Sequence, residues 1–337
     1  FLGSTVSNCT CKGNGGGLFM TGGTVRGCRL LDNTASSLAG GAYVGGVLDV
    51  AFDDCVIVGN KASSVYTDTF VPGGLLLLRP ISVGGLDVRH NKGGGVYMID
   101  GASLHDSTVI GNATVRGGGV YAPKGMIERC VISGNTASQF GGGVFIADGA
   151  IRNCLVTCNT NNNTGATYGG GGLFCRSAAA VVNCTVTKNV AYHGQGIWID
   201  GTFTLRNSIV SHNVHYRSAG VVTNVYGWGG EGVRVGGEAG SIHNSCVNDD
   251  CYLAYPAFSN NHSIVADPQF VDAAAGDYHL QQGSPCVNGG AKLDYTAESL
   301  DLDGRPRIFN FGRPSGKPDI GCYESPWGVP GMMIFVR

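Results

Sequence analysis

The sequence predicts an all-β protein, a single-stranded right-handed parallel β-helix of about ten to twelve coils. Three observations lead to this fold: a glycine-rich unit recurs along the chain, a Cys-x-x-x-x-Asn unit alternates with it, and no helical periodicity separates the two. The asparagines from Asn14 to Asn213 span 199 residues in eight steps, or about 25 residues per repeat. Parallel strands joined at this period without helices are typical of a β-helix.

The glycine-rich unit consists of glycines followed by a short run of alternating apolar residues. Glycine permits positive φ angles and close backbone approach, so each copy is expected to turn a corner of the coil. A phosphate-binding loop is a single strand–loop–helix element, whereas this unit recurs about nine times without a following helix. The unit is therefore interpreted as structural. Its copies are GGGLFM (Gly15 to Met20), GGAYVGG (Gly40 to Gly46), GGLLLL (Gly73 to Leu78), GGGVYMIDG (Gly93 to Gly101), GGGVYAPKG (Gly117 to Gly125), GGGVFIADG (Gly141 to Gly149), GGGLFC (Gly170 to Cys175), GQGIWIDG (Gly194 to Gly201) and the degenerate GEGVRVGG (Gly230 to Gly237).

Alternation within these copies predicts that the outer two residues of each three-residue strand point inward and the middle residue points outward. The outward column is then largely aromatic. Two interpretations remain open: the row is a solvent-exposed platform on which sugar rings stack, or the rings stack on one another beneath loops. The residues assigned to ligand binding on the first interpretation are Tyr97, Tyr121, Phe145, Phe174, Trp198 and Arg234.

The second unit, of the form CVISGN, places an asparagine five residues after an inward-facing cysteine or its substitute. Asparagine tolerates the left-handed αL conformation and stacked amides bond one another, so each asparagine is expected at a turn within an amide ladder. The cysteines are expected to pack as small hydrophobic residues, because a straight column does not converge on a metal ion. The asparagines given this structural role are Asn91, Asn112, Asn135, Asn159, Asn189 and Asn213, and the cysteine column is Cys9, Cys28, Cys55, Cys130, Cys154 and Cys184.

Composition narrows the class of protein. Charged residues make up 14% of the chain and the net charge is −2, without a basic run, which argues against a nucleic-acid partner. No apolar run reaches the ~18 residues of a membrane span. The 13 cysteines indicate an oxidising, extracellular setting. The chain lacks a signal peptide and begins at Phe1 rather than methionine, so we expect a processed or excised piece.

Four cysteines near the end of the chain are disulfide candidates. Cys246 and Cys251 flank the short SCVNDDC loop, which suggests one pair. Cys286 and Cys322 lie in the non-repeating end, which suggests a second pair. Sequence spacing alone does not fix the connectivity.

No metal or cofactor is expected, with Ca²⁺ as the alternative. Hard cations bind several oxygens, and the candidates are the pair Asp249-Asp250 and the DLDG stretch from Asp301 to Gly304. The spacing differs from an EF-hand loop, and DLDG is more typical of an Asx turn.

Long segments between an asparagine and the next glycine corner are expected to project as loops from one edge of the rod. They run from Lys61 to Pro72, from Thr160 to Tyr168 and from Val214 to Trp228. If the protein is an enzyme, a site flanked by these loops has acid–base candidates. The alternative for each histidine is an ordinary solvated or locally hydrogen-bonded loop residue. The candidates are His193, His215, Arg217 and Tyr168.

Over roughly residues 1–245 the repeated units resemble the coils of right-handed β-helix surface proteins, including bacterial polymorphic outer-membrane and autotransporter passenger repeats and pectate-lyase-like proteins. The end of the chain looks like the end of bacterial choice-of-anchor β-helix proteins, in ADPQFVDAAAGDYHLQQGSPCVNGG (Ala266 to Gly290), DLDGRPR (Asp301 to Arg307) and PDIGCYE (Pro318 to Glu324). The resemblance implies a secreted or surface-exposed bacterial protein and no single activity. The expected division is β-helix repeats at 1–245 and degenerate final coils with a C-terminal cap at 246–337.

Two functions remain open. The first is a secreted or cell-surface protein with a structural or adhesive role, which binds a polysaccharide or a host or neighbouring cell surface through the aromatic row. The second is a polysaccharide lyase or glycoside hydrolase with its site on the loop-flanked face. Residue 1 falls within a coil whose open end presents unpaired strands, so other segments of the same fibre or protein are further expected partners.

Overall fold

The computed structural model describes residues 1–46, 48–63, 72–99, 101–165, 169–215, 225–227, 241–247, 259–296, 298–308 and 316–326. In these residues the regular structure consists of β-strands, and the strands of the coils pair in parallel with strands one coil away. One sheet stacks ten such strands in sequence order. Each coil passes through three faces, and a short edge leads back to the glycine corner. The architecture is a parallel β-solenoid.

The first face follows the glycine corner, and the second face comes next along the chain. Two long strands, Leu173–Val182 and Ile197–Arg206, run through both faces. The other first-face strands are Leu18–Met20, Ala42–Val44, Leu75–Leu77, Val96–Met98, Val120–Ala122, Val144–Ile146 and Val225–Gly227. The other second-face strands are Gly23–Arg26, Val50–Asp53, Ser82–Gly84, Ser103–His105, Met126–Glu128, Ala150–Arg152, Ser241–His243 and Ser259–Asn261.

The third face carries the ten-stranded sheet, and the edge carries the shortest strands. The third-face strands are Thr5–Ser7, Arg29–Leu31, Val56–Val58, Asp87–Arg89, Thr108–Ile110, Val131–Ser133, Leu155–Thr157, Thr185–Thr187, Ile209–Ser211 and Cys246–Val247. The edge strands are Thr10–Cys11, Thr34–Ala35, Lys61–Ala62, Ala113–Arg116, Thr136–Phe140, Thr160–Asn161, Val190–Ala191 and Val214–His215.

Apolar columns fill the interior because parallel pairing keeps equivalent residues of successive coils in register. On the third face Leu30 pairs with Ile57 and Ile57 with Val88, and all three side chains are fully buried. The first and second faces contribute further columns to the same core. The alternation read from the sequence therefore places the apolar residues where the solenoid needs them.

At the glycine corner the backbone passes too close to the next coil for a side chain. Gly141 has a φ of +60°, and a Cβ on Gly142 would lie 2.4 Å from the carbonyl oxygen of Gly171. A Cβ on Gly143 would lie 2.7 Å from the carbonyl oxygen of Gly172. The triplet is a corner that only glycine fits.

A ladder of buried asparagines follows the third face. The backbone N–H and the Nδ2 of Asn135 donate to Oδ1 of Asn159 at 3.0 and 2.9 Å, and Nδ2 also donates to the carbonyl oxygen of Val109 at 2.9 Å. Equivalent hydrogen bonds join the side-chain amides of successive members, so each buried amide is hydrogen-bonded to its neighbours. The ladder comprises Asn33, Asn60, Asn91, Asn112, Asn135, Asn159, Asn189 and Asn213.

The left-handed conformation lies one residue before these asparagines. Asp32, His90 and Lys188 have φ angles of +53°, +54° and +53°. The expectation that the asparagine itself adopts αL is therefore wrong, because the amide is turned inward to serve the ladder instead.

The first coil also departs from the predicted alignment. Thr10 pairs with Thr34, which puts Cys9 at the position of Asn33. Cys9 is exposed, so its assignment to the inward column is wrong, and Asn14 falls outside the ladder. The spacing alone did not show this because Cys9 and Asn14 are five residues apart, as in the true units.

The remaining inward cysteines form a hydrogen-bonded column in which serine takes equivalent positions. The Sγ of Cys154 accepts the N–H of Cys130 at 3.4 Å and donates to the carbonyl two residues earlier at 3.0 Å. The Oγ of Ser208 likewise accepts the N–H of Cys184 at 3.0 Å and donates to the carbonyl two residues earlier at 2.8 Å. Simple hydrophobic packing therefore describes only part of their role.

The chain then folds back along the outside of the third face. We call the described residues between 266 and 326 the clasp; it includes an antiparallel hairpin, Phe270–Asp272 with Asp277–Leu280. Its apolar side chains pack with Leu155 and Ile209, which point outward from the third face. The clasp therefore lies beside several coils as well as near their end. The predicted division at residue 245 stays a prediction. The strand Cys246–Val247 pairs with the coils, which agrees with the degenerate final coils expected after that residue.

A fully buried arginine fastens the clasp to the coils. Arg307 forms an ion pair with Glu324 at 2.8 Å. Its Nε donates to Oδ1 of Asn153 at 2.8 Å, and its Nη2 donates to the carbonyl oxygen of Asn183 at 3.2 Å. Both asparagines occupy αL turns between the second and third faces, with φ of +53° and +52°. These turns are the docking points of the clasp.

Candidate functional site

The first face carries the aromatic row. The ring centroids of Tyr97 and Tyr121 lie 4.7 Å apart, and those of Tyr121 and Phe145 lie 4.6 Å apart, with planes inclined by 21° and 15°. The stack continues to Phe174 at 5.3 Å and to Trp198 at 6.4 Å. Rings stacked along the rod cover one another's faces, so their edges point outward. A sugar ring would therefore meet ring edges and hydroxyls within the row, rather than the open ring faces expected of a platform.

Burial divides the row into two parts. The side chains of Phe145, Phe174 and Trp198 are only 5%, 2% and 1% exposed, whereas Tyr97 and Tyr121 are half-buried. Phe140 packs edge-on against Phe174, with ring centroids 4.5 Å apart. The solvent-exposed interpretation is wrong for these three rings, because Phe140 packs against Phe145 and Phe174, and Trp198 contacts Phe174 and His193.

Phe140 was not singled out from the sequence. It ends the edge strand Thr136–Phe140, directly before the glycine corner. An aromatic residue at that position was the available signal, since the corner brings it onto the first face of its own coil.

The next position of the row belongs to Tyr226, not Arg234. The strand Val225–Gly227 pairs with the first face so that Tyr226 lies opposite Trp198. This strand lies within the segment 214–228, which the sequence predicts to be a loop. Arg234 itself lies outside the described residues. The VYG and VRV triplets carry similar alternation, so the pattern did not distinguish them.

A shallow cleft borders the half-buried part of the row. Its lining includes Tyr97, Tyr121 and Arg116, and its volume is about 190 Å³ with the open space at its mouth included. The Nε of Arg116 donates to Oε1 of Gln139 at 2.9 Å, and its guanidinium lies 5.1 Å from the centroid of Phe140. The cleft thus sets a positioned cation beside two phenols.

The two phenols stay protonated at neutral pH. Burial raises the pKa of Tyr97 to about 12, and the neighbouring Tyr121 adds to the shift. Burial also raises the pKa of Tyr121, against the opposing effect of Arg116 and Arg176. Protonated phenols both donate and accept hydrogen bonds, and a guanidinium binds carboxylates. Sugar hydroxyls and uronate carboxylates match this set of groups.

Two of the predicted catalytic residues come together across a third aromatic ring. The Tyr192 centroid lies 4.6 Å from that of His193 and 4.9 Å from that of His215. His193 also contacts Trp198 edge-on, at 6.0 Å between centroids. Burial first, and then proximity to His215, lower the pKa of His193. Its imidazole is therefore neutral at pH 7 and able to accept a proton.

The other members of the proposed catalytic group cannot be placed beside this pair. Arg217 and Tyr168 lie outside the described residues. Tyr192 was not among the candidates predicted from the sequence. Its ring contacts both histidines. Its position directly before His193 was the available signal.

The cysteine candidates are arranged differently from their predicted pairs. Cys246, Cys286 and Cys322 are buried free thiols, and Cys251 lies outside the described residues. The Cys286–Cys322 bond expected from the sequence is absent between these described residues. The Cys286 side chain instead interacts with Cys246, and this interaction together with burial raises the pKa of Cys286.

The DLDG stretch uses its first carboxylate for backbone hydrogen bonds. Asp301 is fully buried, and its two oxygens accept the N–H groups of Arg305 at 2.6 Å and Glu324 at 2.7 Å. Within the described ranges no three or more His, Cys, Asp or Glu side chains are grouped to hold a metal ion. The pair Asp249-Asp250 falls outside those ranges.

Comparison with known proteins bears on the fold. No curated protein and no solved structure matches the chain. In the part of the chain that the structure describes, no helix combines the length and apolar character needed to cross a membrane. The family described as "Right handed beta helix region" matches residues 79–245. Together with the parallel ladders, this similarity confirms the predicted fold: the chain is an all-β, right-handed parallel β-solenoid.

Proposed function

We propose that this chain is a secreted or bacterial cell-surface β-helix with a structural and adhesive role. It binds an extended polysaccharide, free or on a host or neighbouring cell, along the cleft at Tyr97, Tyr121 and Arg116. The proposal rests on one observation. The Arg116 guanidinium, which is fixed by a hydrogen bond to Gln139, lines the same cleft as the two protonated phenols of the first face. Such groups suit sugar hydroxyls and uronate carboxylates.

The shape of the cleft supports surface contact with a chain. It is shallow and open, and the two phenols follow the axis of the rod at a ring spacing of 4.7 Å. Coils stack at a similar spacing of ~4.8 Å, so an extended ligand along the axis meets one coil after another. The ladders below hold this edge in place, which limits the ordering cost of binding.

The test removes the hydroxyls and keeps the rings. We expect the double variant Tyr97→Phe, Tyr121→Phe to lose about tenfold in affinity, since two hydrogen bonds contribute roughly 1–3 kcal/mol together. Affinity electrophoresis against neutral and uronate-containing polysaccharides measures the change. Arg116→Gln is expected to weaken binding to the uronate polymers selectively.

The matched control is Tyr43→Phe, at an equivalent position of the same row. Tyr43 stacks on Phe19 with ring centroids 4.6 Å apart, away from the cleft. Its loss of a hydroxyl should leave binding unchanged. The proposed site would be contradicted if the control and the double variant lost affinity equally, or if none of the three tyrosine substitutions changed the affinity.

A second function, polysaccharide lyase or glycoside hydrolase, rests on a different observation. The neutral imidazole of His193 lies near His215, with Tyr192 between them. A base of this kind suits proton abstraction from a uronate or activation of water. In this alternative the polysaccharide is turned over beside the buried end of the aromatic row.

Turnover separates the two functions. The same polysaccharides are assayed for unsaturated products at about 235 nm and for new reducing ends, with His193→Ala and His215→Ala as the variants. Activity that falls at least about 100-fold in both variants supports an enzyme. Binding without turnover in the unmodified chain supports the adhesive role.

A further inference from the structure

Two thiols meet where the clasp joins the coils. Cys246 lies in the strand Cys246–Val247, which is paired with the third-face strand Ile209–Ser211. Cys286 belongs to the clasp. Both side chains are 0% exposed and share one apolar cluster with Ile209 and Leu280. This cluster is the apolar part of the interface between clasp and coils.

The side chains of these two cysteines interact across the interface. The interaction of the Cys286 thiol with Cys246, together with burial, holds the pKa of Cys286 far above its usual range. The Cys246 thiol also donates to the carbonyl oxygen of Ala266, at the start of the clasp, at 3.2 Å. The backbone of Cys322 is held elsewhere, by a bond from its N–H to the Oγ1 of Thr185 at 3.1 Å. Cys322 lies in the same apolar cluster, but the thiol that interacts with Cys246 is that of Cys286.

We propose that Cys246 and Cys286 form a disulfide that locks the clasp against the coils, and that the present structure is its reduced form. The bond forms by thiol–disulfide exchange with a small-molecule disulfide such as oxidised glutathione. The two cysteines lose two protons and two electrons as one S–S bond forms. The external disulfide accepts these and leaves as two thiols.

Burial determines when this exchange takes place. A thiol with a raised pKa supplies little thiolate, and fully buried sulfur atoms are closed to a reagent. The exchange therefore precedes docking of the clasp, or waits until the clasp opens. Once the disulfide has formed and the clasp covers it, a reducing agent cannot reach the sulfur atoms, so the bond resists reduction. A chain that matures in an oxidising compartment is then locked, and one that folds in a reducing compartment is not.

The connectivity is tested on the unmodified chain. The protein is unfolded, refolded with oxidised glutathione, alkylated, digested without reduction and analysed by mass spectrometry. We expect a peptide pair that contains Cys246 and Cys286 and separates on reduction. Recovery of both as alkylated thiols, or of the pairs Cys246–Cys251 or Cys286–Cys322, would overturn the proposal.

The locking effect is tested by melting. The closed loop is long, so oxidation should raise the melting temperature of the clasp by about 5 °C or more relative to the reduced protein. Cys286→Ser should abolish this redox dependence. Cys154→Ser is the matched control, because it changes a buried cysteine of the coils and should retain the dependence. A redox-dependent shift that persists in Cys286→Ser would also overturn the proposal.

Discussion

The coils repeat one set of hydrogen bonds, whereas the clasp is held by contacts that each occur once. In the coils the side-chain amide of Asn135 makes the same hydrogen bonds to its neighbours as the amides of Asn112 and Asn159 make to theirs. In the clasp Arg307 reaches Asn153, which is 154 residues earlier in the chain. Damage to a ladder should therefore spread to adjoining coils, while damage to the clasp should release one segment. The following changes test this difference.

The largest effect is expected from Arg307→Leu. The change leaves the buried Glu324 carboxyl and the Asn153 amide without their partner, and two buried polar groups left unpaired cost about 2–6 kcal/mol together. Because these contacts hold one segment to the coils and are not repeated along them, hydrogen exchange and limited proteolysis should increase between residues 266 and 326 and remain low in the coils.

The control for this change is Arg29→Leu, at an exposed position of the third face. It should leave both regions within about 0.5 kcal/mol of the unmodified protein. If Arg307→Leu makes the clasp and the coils unfold together, the two regions form one cooperative unit and the distinction between them is wrong.

Asn135→Ala should have the next largest effect, in the other region. It removes the acceptor for Asn112 and the donor to Asn159, and buried groups left unpaired cost about 2–4 kcal/mol in all. Denaturant unfolding measures the loss, and exchange should rise in the flanking coils first. The exposed Asn162→Ala provides the comparison and should be nearly neutral. Equal effects of the two substitutions would show that the ladder contributes little.

The sequence was sufficient for features that repeat. The Asn135 column and the corner at Gly141 follow from spacing, because each physical requirement recurs once per coil. The burial of Phe174 could not be predicted in this way. Alternation places its side chain outside the core, but the ring is covered because Phe140 packs against it and its neighbours stack on it. The partner of Arg307 had no local signal, since the contact joins segments more than 100 residues apart.

The candidate site divides in the same way. The half-buried Tyr97 and Tyr121 were predicted from the repeat, whereas Arg116 was not, because its bond to Gln139 joins two edge strands after a register shift. The position next to Trp198 that was assigned to Arg234 is taken by Tyr226, because a strand lies inside a segment that lacks the glycine signal. Residues at register shifts and in strands without the glycine signal therefore cannot be placed from the repeat period alone.

A smaller effect is expected from pH, and it should act on the clasp. Burial, opposed by Arg307, raises the pKa of Glu324 from 4.5 to about 8, and Asp303 and Asp277 raise the pKa of His279 against the effect of its burial. A carboxyl with a raised folded pKa binds its proton more tightly in the folded state, so its contribution falls as the pH rises from about 4.5 to 8. The histidine acts in the same direction above its ordinary pKa.

We therefore expect the clasp to lose about 2 kcal/mol between pH 6 and pH 8. Hydrogen exchange of the clasp across this range, corrected for the intrinsic pH dependence of exchange, measures the loss. Glu324→Gln should remove most of the pH dependence. A clasp that becomes more stable as the pH rises would contradict the sign.

The smallest effect distinguishes two views of the cysteine column in the coils. If Cys154 serves as a hydrogen-bonding residue, Cys154→Ser should be tolerated within about 1 kcal/mol, since Ser208 makes the equivalent bonds. Cys154→Val has a similar volume but leaves the N–H of Cys130 without its acceptor, and it should cost about 1–2 kcal/mol. Denaturant unfolding of both variants gives the order. If valine proves the better substitute, hydrophobic packing is the main role of the column, and its alternation with serine then reflects size alone.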